Sequence, residues 1–402
     1  MSEPTPQLES GSEMNVAPTT LVGKLTERFD SAGAISAVVT TIIAFFMAGL
    51  VVLATGHNPL STYRAIFNGT GLAWLIPGFG DRASEAENLQ QTLLVATPLM
   101  LTGLALAFAF RCGMFNIGGQ GQYLAGQTVA VLVGSSWAGM AGPLHIVLAI
   151  VLAALAGALW AGIAGFLKAT TGAHEVISTI MLNWIAIWVA DYFFGLNGPF
   201  QGPVRFNTIS SDIVAKTHLY VFWGSPLLQG LDIGFFLAIV MLVVYWLILN
   251  RTTLGFEVRA VGYNPEAARY GGIDVRRSYF MAMAVSGMFA GLAGAVDILG
   301  WQFHLATPDI HASSIGFLGI AVALLGRNSA IGVFFASILF GALTIGTSTR
   351  QLDPNVFDPA LASNLTLIIQ GLVVLFVGAD LVVLGLWLKL RRSLSAAQKA
   401  PA

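Results

Sequence analysis

Four amides stand out as groups able to do chemistry in an otherwise oily chain. Asn116, Gln120 and Gln122 lie in the run Asn116-Ile117-Gly118-Gly119-Gln120-Gly121-Gln122, and Asn183 sits beside Trp184. Such a side chain donates and accepts hydrogen bonds without carrying charge. In apolar surroundings it is costly unless paired, so it faces a protein interior or a water-filled path. These amides suit contact with a neutral polar solute, and they equally suit the plainer task of linking helices. Ionisable groups are scarce. Asp191 and Asp297 lie near the outer ends of apolar runs and read as interfacial, while Asp380 reads as the place where the last run reaches the inner interface. No enzyme signature accompanies them: G-x-x-x-x-G-K-[ST], H-E-x-x-H and G-x-S-x-G are missing, and the 6 histidines never fall at i, i+4 spacing. Cys112 is the only cysteine, which excludes an intrachain disulfide and a cysteine-based metal site. The expectation is a protein with no catalytic residues, no metal and no cofactor.

The elements that position these groups follow from composition. Hydrophobic residues are 56% of the 402 and charged residues 10%, with a mean hydropathy of +0.77. A soluble domain carries about 25% charged residues because its surface faces water. This chain needs lipid as the solvent for its outside. A net charge of −1 offers nothing to a polyanion, so no nucleic-acid partner is expected. A helix of about 20 apolar residues crosses a ~30 Å hydrocarbon core. Runs at 35–55, 91–110, 122–139, 143–168, 175–195, 233–250, 279–300, 313–326, 330–348 and 363–388 meet or approach that length. The fold class is therefore all-α, a polytopic membrane bundle of about ten transmembrane helices. Residues 1–34 read as a polar, disordered tail, 35–388 as the membrane domain and 389–402 as a second tail.

Basic residues orient the bundle. With the amino terminus in the cytoplasm and one crossing per run, only Arg64, Arg82, Arg205, Lys216 and Arg350 of the 19 Lys and Arg fall outside. Both termini are expected in the cytoplasm. Gly157, Ala161 and Gly165 form one small-residue stripe, and Gly287, Gly291 and Ala295 another; such stripes let helices approach closely in lipid. The third and eighth runs are abnormal: one follows the polar, glycine-rich stretch at 116–122, and the other is short and ends at Gly326-Arg327-Asn328. Interrupted segments at matched places in two inverted halves point to a transporter's central site.

The longest inside segment, 251–278, holds Asn264-Pro265-Glu266-Ala267-Ala268-Arg269-Tyr270-Gly271-Gly272. Asn264 suits an N-cap, Pro265 the first helical position and Glu266 the positive end of the dipole. Gly271 and Gly272 supply a left-handed stop. The segment predicts a doubly capped helix too short to stand alone, which therefore docks on something or is a solvated connection.

Glu266-Ala267-Ala268 followed by Gly272 resembles the EAA-x-x-x-G loop of ABC importer permeases, whose short coupling helix enters a groove on the ATPase. Asn116–Gln122 (NIGGQGQ), Glu175–Ala186 (EVISTIMLNWIA), Arg259–Ile273 (RAVGYNPEAARYGGI) and Gly319–Arg327 (GIAVALLGR) are similar to permeases of the ribose, branched-chain amino acid and nucleoside group. The EVISTIMLN wording and the long loop at 56–90 look most like the larger permease of purine-nucleoside importers. The family pattern often has an acid where Gln120 stands. The resemblance implies a bacterial cytoplasmic-membrane subunit that pairs with an ABC ATPase of twin-domain type, a second related permease and an extracytoplasmic substrate-binding lipoprotein. It also implies a small neutral solute, a nucleoside before a sugar or a branched-chain amino acid, met by Asn116, Gln120, Gln122 and Asn183 with Trp184 stacking on its ring. A self-sufficient carrier or channel is the rival class.

Overall fold

In a computed structural model of the chain, residues 31–54, 56–78, 81–204, 206–225, 230–347 and 359–378 are described. Most are helical. The elements are α1 (Ser31–Ala54), α2 (Pro59–Gly69), α3 (Arg82–Arg111), α4 (Gly119–Ser135), α5 (Gly142–Thr171) and α6 (Glu175–Phe194), then a strand pair β1 (Val221–Trp223) and β2 (Leu231–Asp232). There follow α7 (Gly234–Arg251), α8 (Thr253–Tyr263), α9 (Pro265–Tyr270), α10 (Val275–Asp297), α11 (Thr307–Ala312), α12 (Ile315–Leu325), α13 (Ala330–Gly346) and α14 (Pro359–Gly378). The first helix begins at Ser31, before the apolar run that opens at Ile35, and Asp380 lies outside the described residues.

Among the described residues six helical segments are long and apolar enough to cross a membrane, and α1 with α2, bent by 119°, would make a seventh. The ten runs exceed these by three: α4 and α13 have 17 residues each, and the last run, 363–388, lies only partly within the described residues.

The centre is α10, fully buried from Phe289 to Gly300. α5 packs along it through the two predicted stripes: a Cβ on Gly157 would collide with the Gly287 carbonyl, and one on Gly291 with the Ala153 carbonyl. Absent side chains let two backbones approach, which is how helices associate where solvent supplies no hydrophobic drive. α4 crosses α10 by the same device, Gly126 lying against Gly291. Beyond Asp297 the helix loosens into a π turn, Ile298–Gln302, and stops at Phe303 with φ of 63°.

At that end the long connection between α6 and α7 is tied down by backbone bonds, Ile213 N–H to Phe303 O (2.8 Å) and Leu219 N–H to Leu299 O (2.8 Å). Trp74, from the connection before α3, meets Trp223 with ring centroids 5.3 Å apart. The two segments expected on one side of the membrane thus lie together at one end. The opposite end gathers Arg111, the turn at 326–329 and α8.

Candidate functional site

Arg111 ends α3, and residues 112–118 turn back along the bundle before α4 begins. The depth of that start follows from its neighbours. A Cβ on Gly119 would meet Leu106 and the Gly316 carbonyl, and Thr102 faces Gly319 and the Ile315 carbonyl. Thr102 lies roughly 13 Å short of Arg111 at ~1.5 Å of rise per residue. So α4 and α12 both start inside the bundle. From there α4 runs towards Ile213, while α12 runs back to Arg111, in opposite directions.

The amides close this junction. Asn116 Oδ1 accepts from Gly118 N–H (2.8 Å), and its Nδ2 donates to Gln122 Oε1 (3.1 Å) and Ser286 Oγ (2.9 Å). Gln122 Nε2 donates back to Asn116 Oδ1 at 3.0 Å. Ser286 Oγ in turn donates to the Ala105 carbonyl (2.6 Å), which joins α10 to α3. Asn183 on α6 accepts from Gly121 N–H (2.8 Å) and donates to the Ile117 carbonyl (2.9 Å). Gln120, 1% exposed, accepts the Gly316 N–H at 2.9 Å, while its Nε2 is buried with no partner. Neither helix's own N-cap residue supplies a side-chain bond. Of the first-turn N–H groups, which lack intrahelical acceptors, Gly121 is taken by Asn183 and Gly316 by Gln120. The partnerless Gln120 Nε2 is the donor left to meet an electron-rich neutral group, such as a hydroxyl or carbonyl oxygen.

The structure unites Asn116, Gln120, Gln122 and Asn183. It does not bring Trp184 to them. That ring is 56% exposed and lines a shallow apolar groove of about 420 Å³ with Met181, Ile185, Trp188, Val189 and Tyr192. Neighbours on a helix point about 100° apart, so a buried Asn183 turns Trp184 outwards. Asp297 also corrects its sequence reading. It lies near an outer helix end but is enclosed by protein, taking hydrogen bonds from Tyr123, Trp301, Gln127 (3.4 Å) and Gln302 (3.3 Å). Asp191 keeps a partly exposed place 3.9 Å from His311. Sequence reasoning missed Ser286 and Gly316; the signal for Gly316 was its place in the abnormal eighth run, and that for Ser286 its place beside the Gly287 stripe.

The short helix α9 has the expected caps. Asn264 Oδ1 accepts from Glu266 N–H (3.0 Å) and Ala267 N–H (3.1 Å), and Pro265 opens the helix. Gly271 N–H and Ile273 N–H close on Ala267 O and Ala268 O, each at 3.0 Å, and Gly272 takes φ of 83°. Glu266 and Arg269 pair at 3.5 Å across one exposed turn. The two alanines are not equivalent. Ala268 is 6% exposed and packs inwards on its own chain. The exposed residues of α9 are Glu266, Ala267, Arg269 and Tyr270, the last 92% exposed, and Tyr263, which ends α8, is exposed as well.

The family model described as branched-chain amino acid transport system / permease component matches residues 88–378. The guanosine ABC transporter permease protein NupP of Bacillus subtilis is 37% identical over 85% of this chain and 92% of its own length. The nucleoside ABC transporter permease protein NupB of Lactococcus lactis is 32% identical over 86% and 90%. The glucose ABC transporter permease protein TsgB13 of Haloferax volcanii is 33% identical over 84% and 85%. No solved structure matches the chain.

Proposed function

This chain belongs to the family of branched-chain amino acid transport system permease components, and from that premise we propose that it is the membrane subunit of an ATP-binding-cassette importer for nucleosides. α9 carries the reading. A six-residue helix is too short to persist alone, yet this one is capped at both ends and leaves Ala267 and Tyr270 exposed beside the Glu266–Arg269 pair. That is the form of an element that docks on another protein as a rigid body. In this reading the partner is a twin-domain ATPase, with a second related permease beside the chain and an extracytoplasmic binding lipoprotein delivering the solute. The complex sits in lipid in the bacterial cytoplasmic membrane, with residues 1–34 and 389–402 as cytoplasmic tails and 251–278 as the coupling loop. The solute class rests on the guanosine and nucleoside permeases among the relatives and on a junction that offers hydrogen bonds without charge. The glucose permease relative makes sugar import the second reading.

Ala267→Trp tests the assignment. A bulky ring at this exposed position should abolish co-purification with the ATPase and stop uptake of radiolabelled guanosine, while permease abundance in the membrane stays normal. Full ATPase binding and full uptake would sink it. Uptake of glucose in place of guanosine by the unaltered complex would move the solute to the second reading.

A further inference from the structure

At the α9 end of the molecule one carbonyl, that of Asn328, receives three donors from two other helices. Arg111 Nε and Nη2 reach it at 3.1 and 3.0 Å from the end of α3, and Tyr245 Oη at 2.7 Å from α7. The carbonyl belongs to the turn between α12 and α13, where Arg327 and Asn328 take φ of 50° and 52°. Consecutive left-handed residues other than glycine are disfavoured by Cβ contacts. The turn also buries Asn328 Oδ1 without a partner. Its shape is held from within by Asn328 N–H to Ala323 O (2.9 Å) and Ser329 N–H to Gly326 O (3.0 Å), and from outside by the donors on its carbonyl.

Arg111 meets the docking loop as well. A Cβ on Gly262, in the last turn of α8, would collide with the Arg111 carbonyl, and Gly113 lies against Gly262 from the other side. α8 runs into α9 through Asn264 alone. At its far end α12 begins at the amide junction, where Gly316 N–H is bonded to Gln120. An 11-residue helix is stiff on this scale. We propose that Arg111 is a positioning residue for transport: it joins α8 and α9 to the 327–328 turn, so that α12 carries the movement of the docked helix to the junction at Gln120. This rests on the reading of α9 as the ATPase-docking element. In this proposal the strained turn, with its unpaired buried amide oxygen, changes arrangement when movement of α3 against α12 breaks the bonds on its carbonyl.

The test uses the whole complex in liposomes, with permease, ATPase and binding protein, and compares guanosine uptake with ATP hydrolysed. Arg111→Lys keeps the charge but cannot place two guanidinium nitrogens on one carbonyl. Uptake per ATP should fall by about tenfold, with permease abundance and ATPase co-purification unchanged. Tyr245→Phe, a smaller change at the same carbonyl, should fall in the same direction by about threefold. Unaltered uptake per ATP in both variants overturns the proposal, as does a parallel loss of uptake and hydrolysis that leaves their ratio fixed. Failure of the docking reading itself shows separately, as full ATPase co-purification by Ala267→Trp.

Discussion

Gln120 divides its amide between two tasks. Its oxygen satisfies Gly316 N–H at a helix start, and its nitrogen satisfies nothing. A buried donor without an acceptor costs about 1–3 kcal/mol, and a chain keeps such a group most readily where another state pairs it. Gln120→Leu removes both functions at similar volume. We expect guanosine uptake to fall about tenfold while ATPase co-purification persists. Unchanged uptake in an assembled complex would return Gln120 to helix packing. Asn264 is simpler, since its side chain meets two N–H groups at the start of α9. Asn264→Ala should destabilise that turn by about 1 kcal/mol, read as faster amide exchange at Glu266 and Ala267 with α10 unaffected. Equal exchange in both proteins would show that Pro265 and the packing of Ala268 hold the helix without the cap.

At the scale of elements, the crossing of α5 and α10 depends on the absence of side chains. Gly157→Ala puts a methyl against the Gly287 carbonyl, and neither backbone can yield without moving its helix. Overpacking of this kind costs about 1–3 kcal/mol, so the purified permease should melt several degrees lower. Gly139→Ala, which meets nothing within 4 Å, should leave the melting temperature alone. Equal melting of both variants would mean that the helices separate freely at Gly157. This crossing was legible in the sequence because the i, i+4 spacing of small residues is itself the packing device. The caps of α9 were legible for a similar reason, each lying within five residues of the group it satisfies. Other features depend on distant partners. Nothing local says that 112–118 turns back into the bundle, since that depth is set by Leu106 and Gly316. Ala267 and Ala268 are chemically identical, and only the packing of the loop decides which faces out. Asp297 looked interfacial because hydropathy measures its distance from the end of a run and cannot see Tyr123 and Gln127 arriving from α4.

The whole molecule has two chemically different ends. Arg111, Arg327 and the loop carrying Arg259, Arg269, Arg276 and Arg277 collect at one, while the connections before α3 and after α6 meet at the other through Trp74 and Trp223. Basic residues flanking spans are retained in the cytoplasm, so the basic end is expected inside, where an ATPase could reach α9. Single cysteines test this in a Cys112→Ser background, Cys112 being buried and the only native thiol. Positions must be exposed for labelling to report sidedness. Ser84 and Lys216 qualify at one end and Tyr263 at the other, whereas Ser278 is buried and would stay silent on either side. In intact cells an impermeant maleimide should label Ser84→Cys and Lys216→Cys and spare Tyr263→Cys, which should react only after the membrane is opened. The reverse pattern would invert the molecule and put α9 beyond reach of any cytoplasmic ATPase. Labelling at Ser84 but not at Lys216 would instead separate two segments that the Trp74–Trp223 contact joins, and would overturn the arrangement of that end.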